Sequence, residues 1–168
     1  HVWFAALKRI RRESPELGDR IRLVLVGSDS YAGRPLADWA SEAGIGDRVE
    51  IVGHKCHAEA LSHMAGSDAL ILSAPSGPGG DRQIPNKLFE CLGLQRPIIA
   101  AVPNESPIVG ILREARADAI CCPPDDERAI ANAITHLILR SDSATPNRWS
   151  GAHRFDRAHR AVELVELF

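Results

Sequence analysis

The 168-residue sequence predicts an α/β domain in which helices cover both sides of a parallel sheet. Short apolar runs that end at glycine, such as RLVLV before Gly27, have the pattern of buried strands. Longer segments with an apolar residue every three or four positions lie between them and have the pattern of amphipathic helices. Strands that alternate with helices are joined by right-handed crossovers and therefore run parallel. The expected architecture is a Rossmann-like three-layer sandwich, in a single domain spanning 1–168.

The helices are predicted from the spacing of their apolar residues and from their caps. The first helix opens the chain, with an apolar face from Trp3 to Ile10 and basic side chains pointing outward. Ser106 has the position of a helix cap, and Asp125 or Asp126 caps the helix after that. Further helices are predicted at 36–43, 58–65, 86–94 and 107–116. The helix capped by the aspartate has its apolar face at 130–138, and after a polar loop at 141–150 a last helix has its apolar face at 155–165.

Five strands are predicted, at 22–26, 49–52, 69–72, 97–102 and 119–122. Parallel sheets of this kind bind ligands beyond the carboxyl ends of their strands. The loops at those ends are expected to lie on one rim of the sheet, and they cover 27–34, 53–57, 73–85 and 103–107.

Composition excludes several classes of function. The net charge of −2 gives no electrostatic basis for binding nucleic acid or an anionic membrane. No apolar run approaches the ~20 residues needed to span a bilayer. The four cysteines, Cys56, Cys91, Cys121 and Cys122, form no CxxC pattern and are expected to be reduced. Cys121 and Cys122 point to opposite faces of one strand, and both are predicted to pack.

The segment from Ile84 to Glu90 carries the most specific signal for function. It follows a glycine-rich loop and begins a helix, and the start of a helix binds anions through free N–H groups and the helix dipole. Lys87 adds a positive charge there, and Glu90 lies three residues further on nearly the same helix face. A cation beside a carboxylate suits a nucleoside diphosphate, with phosphates at the helix end and ribose hydroxyls on the carboxylate. The alternative is a solvated pair worth ~0.3 kcal/mol.

Other motifs on the rim have weaker signals. Gly27 and Ser28 either let a ligand approach the backbone or simply end a strand. The loop at 76–80 matches neither a Walker loop nor GxGxxG, and it is either a flexible surface loop or one that orders over a ligand. His54 and His57 flank a turn and need not converge, so no metal site is predicted.

The pattern Pro85-x-Lys87-x-x-Glu90, followed by Arg96-Pro97 and an apolar strand, resembles the donor-binding helix of retaining nucleotide-sugar glycosyltransferases. These are the GT-B-fold enzymes of the glycosyltransferase group 1 family. The order of elements fits this family over roughly 3–168, and the motif itself is specific only over 84–101. The resemblance implies the C-terminal half of a two-domain enzyme of carbohydrate biosynthesis. That enzyme would move a sugar from a UDP or GDP sugar to an acceptor held by an absent N-terminal domain.

The resemblance also implies roles for individual residues. Lys87 and Glu90 would carry the chemistry, with Glu90 on the ribose hydroxyls. The backbone of Asn86, Lys87 and Leu88 would face the diphosphate. Gly27 and Ser28 would border the donor cleft, and the loop of Gly53, His54 and Lys55 would line the nucleobase pocket, with His54 or Lys55 also touching phosphate.

Around position 82 the sequence departs from the family. Many members carry a second glutamate there that meets the donor sugar, whereas this chain has Arg82, with Asp81 one residue earlier. Either residue is a candidate contact to the sugar. Two further functions stay open. One is a nucleotide-sugar epimerase of related fold, which also binds the diphosphate on a sheet rim, and the other is a non-catalytic nucleotide-sugar-binding or regulatory domain, in which Arg82 would mark lost activity.

Several expectations complete the family interpretation. No cofactor and no metal are expected, because the nucleoside diphosphate sugar is itself the substrate. The helix within 151–168 would pack on the absent N-terminal domain, and a chain that opens inside a helix is expected to be cut from a longer enzyme. The location is expected to be cytoplasmic, with any peripheral contact at the inner face of the membrane made by the missing half.

Overall fold

Parallel strands form two separate hydrogen-bonded ladders, as seen in a computed structural model that describes residues 2–74 and 84–141. The described chain divides into two compact units, which we call the first unit (2–63 with 125–141) and the second unit (64–74 with 84–124). The helices are α1 (Val2–Glu13), α2 (Pro15–Asp19), α3 (Leu36–Glu42), α4 (His57–Ala65), α5 (Asn86–Leu94), α6 (Pro107–Glu114) and α7 (Glu127–Ser141). The strands are β1 (Leu23–Val26), β2 (Ser30–Tyr31), β3 (Arg34–Pro35), β4 (Val49–Gly53), β5 (Leu70–Ser73), β6 (Ile98–Ala101) and β7 (Ala119–Cys122).

The predicted elements are confirmed wherever the structure describes them. All five predicted strands are present as β1, β4, β5, β6 and β7, and α5 has the bounds that its periodicity predicts. Ser141 lies inside α7 rather than in a loop, and the rest of the predicted loop and the helix at 155–165 fall outside the described residues. Three short elements escaped prediction: α2, a 3₁₀ turn at Gly46–Arg48, and the antiparallel hairpin β2–β3.

In the first unit, α1 packs along α7. Phe4, Ala6, Leu7 and Ile10 are buried on the inner face of α1, and Trp3 on the same face is half-buried. Asp126 is the cap of α7, because its carboxylate accepts the N–H groups of residues 128 and 129 at 3.0 and 2.9 Å. The structure thereby chooses between the two aspartates that the sequence offered.

The parallel ladder of the first unit pairs β1 with β4. Every residue of both strands is only partly buried, so the fully buried strand predicted from RLVLV is wrong for β1. The ladder pairs just these two strands among the described residues, which leaves one edge of each without a strand neighbour. A bulge near the carboxyl end brings Val26 opposite Gly53, and the Gly27 N–H donates to the Gly53 carbonyl at 2.9 Å.

The second unit contains the ladder β5–β6–β7, with β6 in the middle and all three strands parallel. All four residues of β6 are buried, as expected for a central strand covered on both faces. Alternate residues of β5 and β6 pack with α5 and α6 in one core. Members of this core include Leu70, Leu72, Leu88, Cys91, Leu92, Ile98, Ala100, Ile108 and Leu112.

All four cysteines are described, and none of them is part of a disulfide. Cys122 is buried, as predicted, but Cys121 is exposed on β7, so the prediction that both pack is wrong for Cys121. Its strand lies at the edge of the ladder, where a side chain has fewer neighbours to cover it. None of the helices described in 2–74 and 84–141 combines the length and apolar character required to cross a membrane.

Candidate functional site

The start of α5 lies toward the carboxyl edge of the β5–β6–β7 ladder. Only residues 95–97 separate the end of α5 from β6, so this end of the helix lies near the start of that strand. Gln95 ends the helix in the left-handed conformation, with φ of 52°. Since α5 has nine residues and rises roughly 13 Å, its first turn reaches back toward the opposite edge. A parallel sheet of this type binds ligands at that edge.

Local sequence explains why the first turn of α5 is available. Pro85 holds the N-cap position in extended geometry and offers no side-chain oxygen to the first N–H groups. The Leu88 N–H donates to the Pro85 carbonyl at 3.0 Å. Asn86 and Lys87 are exposed. The part of the helix start that can meet an anion is therefore formed chiefly by residues 86 and 87.

Lys87, Leu88 and Glu90 share one helix but have different surroundings. Leu88 is completely buried and anchors the helix in the core of the second unit. Lys87 is exposed and Glu90 is half-buried, so neither charged group is sealed in packing. Their charges act on Cys91, whose pKa is raised to about 11, mainly by burial, with Lys87 opposing the rise and Glu90 adding to it. The buried side of α5, anchored by Leu88, thus holds Lys87 and Glu90 on accessible parts of the same short helix.

A second helix, α6, starts beyond the same edge, with five residues between the end of β6 at Ala101 and its own first residue, Pro107. Ser106 is 3% exposed, and its hydroxyl accepts the N–H of Ile108 at 3.4 Å. Pro107 occupies the first helical position, as predicted. This helix start is closed by its own cap, whereas that of α5 has none.

In the first unit the structure brings Gly27 and Gly53 together at the carboxyl ends of β1 and β4. Their φ angles are +134° and +77°, which residues other than glycine rarely adopt. A Cβ atom at either position would have no described atom within 4 Å. Backbone conformation, rather than close packing, therefore accounts for glycine here, and the space beside both residues is open.

His54 and Lys55 follow β4 and are exposed at its carboxyl end, where the sequence placed them. The next residue, Cys56, donates its N–H to the Glu59 carboxylate at 3.2 Å, an interaction typical of a capping box at the start of α4. The pKa of Glu59 is lowered, first by a side-chain hydrogen bond with Cys56 and then by this backbone bond. Among the described residues, which include His54 and His57, no group of three or more potential metal ligands occurs.

The loop after β1 contains the hairpin β2–β3, which sequence reasoning missed. Ala32 and Gly33 form its turn with φ of 51° and 76°, both positive as a tight hairpin requires. The Ser28 hydroxyl donates to the Ser30 carbonyl at 2.9 Å and so closes the base of the hairpin. The signal that could have predicted it is a glycine turn between two pairs of residues, too short to show strand alternation.

Asp81 and Arg82, the two candidate sugar contacts, lie outside the described residues together with the glycine-rich loop. Their assignment, like the ligand roles of Gly27, Ser28, Gly53, His54 and Lys55, remains a prediction. What the structure establishes is where the described members lie. Asn86, Lys87, Leu88 and Glu90 lie on α5 of the second unit, and the glycines and basic residues lie at strand ends of the first unit.

Comparison with known proteins agrees with this architecture. The chain belongs to the family Glycosyl transferases group 1, whose family model matches residues 1–140. A curated relative, D-inositol 3-phosphate glycosyltransferase of Stackebrandtia nassauensis, is 29% identical over 182 residues, covering 99% of this chain and 38% of the relative. The chain thus spans well under half of that protein.

Two solved structures of Anabaena HepE (Alr3699) resemble the chain. The complex with UDP matches with a TM-score of 0.69 and 20% identity, and the complex with UDP-glucose with 0.67 and 18%. Each match covers 100% of this chain and 45% of HepE. At this identity the likeness concerns the fold, and it confirms the predicted Rossmann-like half of a GT-B protein.

Proposed function

We propose that this chain is the donor-binding part of a glycosyltransferase that moves a sugar from a nucleoside diphosphate sugar to an acceptor. The observation that carries the proposal is the uncapped start of α5 toward the carboxyl edge of its ladder, with exposed Lys87 and half-buried Glu90 on the same helix. Family membership supports the same class of reaction. Since the chain covers only 45% of HepE, we assign acceptor binding to the remainder of the enzyme.

The proposed chemistry is electrostatic. As the bond between sugar and diphosphate lengthens, negative charge grows on the leaving phosphate. The helix start presents about half a positive charge and Lys87 a full one, so both stabilise this charge more in the transition state than in the bound substrate. Glu90 accepts hydrogen bonds from the ribose hydroxyls and thereby positions the nucleotide. No step requires a metal or a further cofactor, and we propose none.

For the nucleotide we propose UDP ahead of GDP. The HepE structures contain UDP and UDP-glucose, and they share the fold of this chain. We propose a cytoplasmic location, which agrees with four described cysteines that form no disulfide, because reducing compartments keep thiols reduced. We assign neither the sugar nor the acceptor.

The experiment compares variants of the full-length protein that contains this chain. Lys87→Ala should lower kcat/KM for UDP-glucose by roughly 10- to 100-fold, because a charge-assisted contact to the leaving group is worth about 1.5–3 kcal/mol. Glu90→Gln should weaken UDP binding by a smaller factor, because a neutral amide replaces a charged acceptor. Lys8→Ala is the matched control, since Lys8 is exposed on α1 and distant in sequence from the motif.

The candidate functions differ in the product that they form and in whether that product depends on Lys87. Sugar transfer that depends on Lys87 but not on Lys8 supports the proposal. An epimerised nucleotide sugar as product would favour the epimerase, and nucleotide binding without turnover would favour the binding domain. Unchanged transfer by Lys87→Ala would refute the proposed role of the α5 start.

A further inference from the structure

A tight turn follows β6 at the carboxyl edge of the ladder in the second unit. The Ser106 N–H donates to the Pro103 carbonyl at 3.0 Å and closes a β-turn. The two middle residues of this turn, Asn104 and Glu105, are exposed. Val102 before the turn and Ser106 at its end are buried. The turn therefore presents an amide and a carboxylate to solvent, and we call Asn104 and Glu105 the polar turn.

Hydrogen bonds and packing hold the polar turn in place. The Val102 N–H donates to the Cys122 carbonyl at 2.9 Å, which continues the pairing of β6 with β7 past the end of β6. On the other side, the Ser106 hydroxyl caps α6, and Ile108 in the first turn of that helix is completely buried. The two side chains of the polar turn therefore extend from a backbone that is fixed at both ends.

The polar turn lies beside the start of α5, within the same unit. Leu88 in the first turn of α5 and Ile108 in the first turn of α6 are both completely buried in one core. Both helices begin beyond the carboxyl edge of the same ladder, and neighbouring packed helices lie roughly 8–10 Å apart. The turn that leads into α6 is accordingly a neighbour of Asn86 and Lys87.

Charged groups of opposite sign lie on these two segments. Lys87 is on α5, Glu105 is on the polar turn, and Glu90 lies further into α5. The other charged residues described in the second unit lie toward the amino edge of the ladder, and they are Asp68, Arg96, Arg113, Glu114, Arg116 and Asp118. Among the described residues, the carboxyl edge of this unit thus has one cation and two carboxylates.

The order of groups in a nucleoside diphosphate sugar limits what Glu105 can bind. A carboxylate accepts hydrogen bonds and repels phosphate, so Glu105 does not suit the diphosphate. The proposed function already assigns the ribose to Glu90 and the phosphates to the start of α5. Because the phosphates lie between the ribose and the transferred sugar, that sugar is expected to extend past the helix start, away from Glu90. The polar turn borders this region.

We propose that Glu105, together with Asn104, binds hydroxyl groups of the transferred sugar and helps to select it. The inference rests on the proposed function, since it takes the diphosphate to lie at the start of α5. A sugar hydroxyl both donates and accepts hydrogen bonds, a carboxylate accepts them, and an amide does both. The polar turn therefore matches an uncharged ring that is rich in hydroxyl groups. Its fixed backbone lowers the ordering cost of the contact.

The test uses the full-length protein, with UDP-glucose and UDP as the two probes. Glu105→Ala should raise the KM for UDP-glucose by on the order of 10-fold, because a charged hydrogen-bond acceptor is lost. The dissociation constant of UDP, which has no transferred sugar, should stay within about twofold of wild type. Glu105→Gln should raise the KM for UDP-glucose by a smaller factor, since the amide oxygen still accepts a hydrogen bond.

Deoxy analogues of UDP-glucose identify the hydroxyl that Glu105 contacts. A panel that lacks each sugar hydroxyl in turn is measured with wild type and with Glu105→Ala. For the analogue without the contacted hydroxyl, the two proteins should have the same KM, because the variant has no further contact to lose. If Glu105→Ala raises KM equally for every analogue, Glu105 does not bind the sugar.

Glu114→Ala is the matched control. Glu114 is an exposed carboxylate in the same unit, and it ends α6 toward the amino edge of the ladder. Its replacement should leave both constants within twofold of wild type. The inference is overturned if Glu105→Ala leaves the KM for UDP-glucose unchanged, if it weakens UDP equally, or if Glu114→Ala has the same effect.

The two proposals fail separately. Transfer that depends on Lys87 while Glu105→Ala keeps its KM would leave the proposed function standing and refute the sugar contact. Transfer that depends on neither residue would refute the proposed role of the α5 start as well. If Glu105→Ala does not fold, Glu105→Gln decides by the same comparison of UDP-glucose with UDP, because it keeps the size of the side chain at an exposed position.

Discussion

Replacing Leu88 by alanine should separate the packing of α5 from its binding role. The side chain is completely buried among residues of β5, β6 and α6. Removing three carbon groups forfeits roughly 2.4 kcal/mol of transfer free energy at about 0.8 kcal/mol each. The cavity that remains adds to this, and buried leucine-to-alanine changes cost about 3–5 kcal/mol in total. We therefore expect Leu88→Ala to lower the free energy of unfolding by about 3–4 kcal/mol.

The assay is equilibrium unfolding of the full-length protein in urea, followed by circular dichroism. Leu88→Met is the control, because a swap of similar volume should cost less than about 1.5 kcal/mol. The neighbouring change Lys87→Ala should alter stability by no more than about 0.5 kcal/mol, since Lys87 is exposed. A loss of less than about 1 kcal/mol for Leu88→Ala would refute the packing that fixes the orientation of α5.

Three further outcomes are expected. Gly53→Ala should cost about 1–2 kcal/mol of stability in chemical denaturation, because a Cβ at φ +77° strains the backbone while meeting no atom, and Gly53→Asn should cost less. Arg11 holds the pKa of Asp47 below its usual value, chiefly by a hydrogen bond of 2.6 Å, so the pair stabilises the fold above the unfolded-state pKa and loses this effect as pH falls through the folded-state pKa. The stability difference between wild type and Asp47→Asn should accordingly be constant from pH 7 to about 5 and shrink below about 4, and a difference that grows on acidification would contradict it. Since burial raises the pKa of Cys91 to about 11, iodoacetamide at neutral pH should label exposed Cys56 well before Cys91 in peptide mapping, and equal rates would show that Cys91 is accessible.

The helices and strands were largely predictable from local pattern, because the need to bury one face of each element recurs with the period of that element. This is why α5 and β7 have their predicted bounds. The hairpin β2–β3 was not predictable in this way, since two residues per strand are too few to show a period.

The candidate site was predictable in position but only partly in detail. A helix that joins two parallel strands must start toward their carboxyl edge, so the location of Lys87 and Glu90 followed from the order of elements. The order of elements did not indicate the surroundings of Leu88, whose backbone was expected to face the diphosphate. In the structure its side chain is buried in the core and its N–H donates to the Pro85 carbonyl.

The sequence by itself determined the alternation of strands and helices and the charged start of α5, since both depend on residues close together in the chain. The parallel pairing joins distant residues, but it followed from the order of the elements, because strands connected through helices run parallel. Only the tertiary structure decided that Asp126 rather than Asp125 caps α7. It also decided that Arg34 pairs with Glu42 and lies over the Trp39 ring. Such choices depend on where side chains meet after folding. The energies that separate the alternatives are small, and local pattern does not contain them.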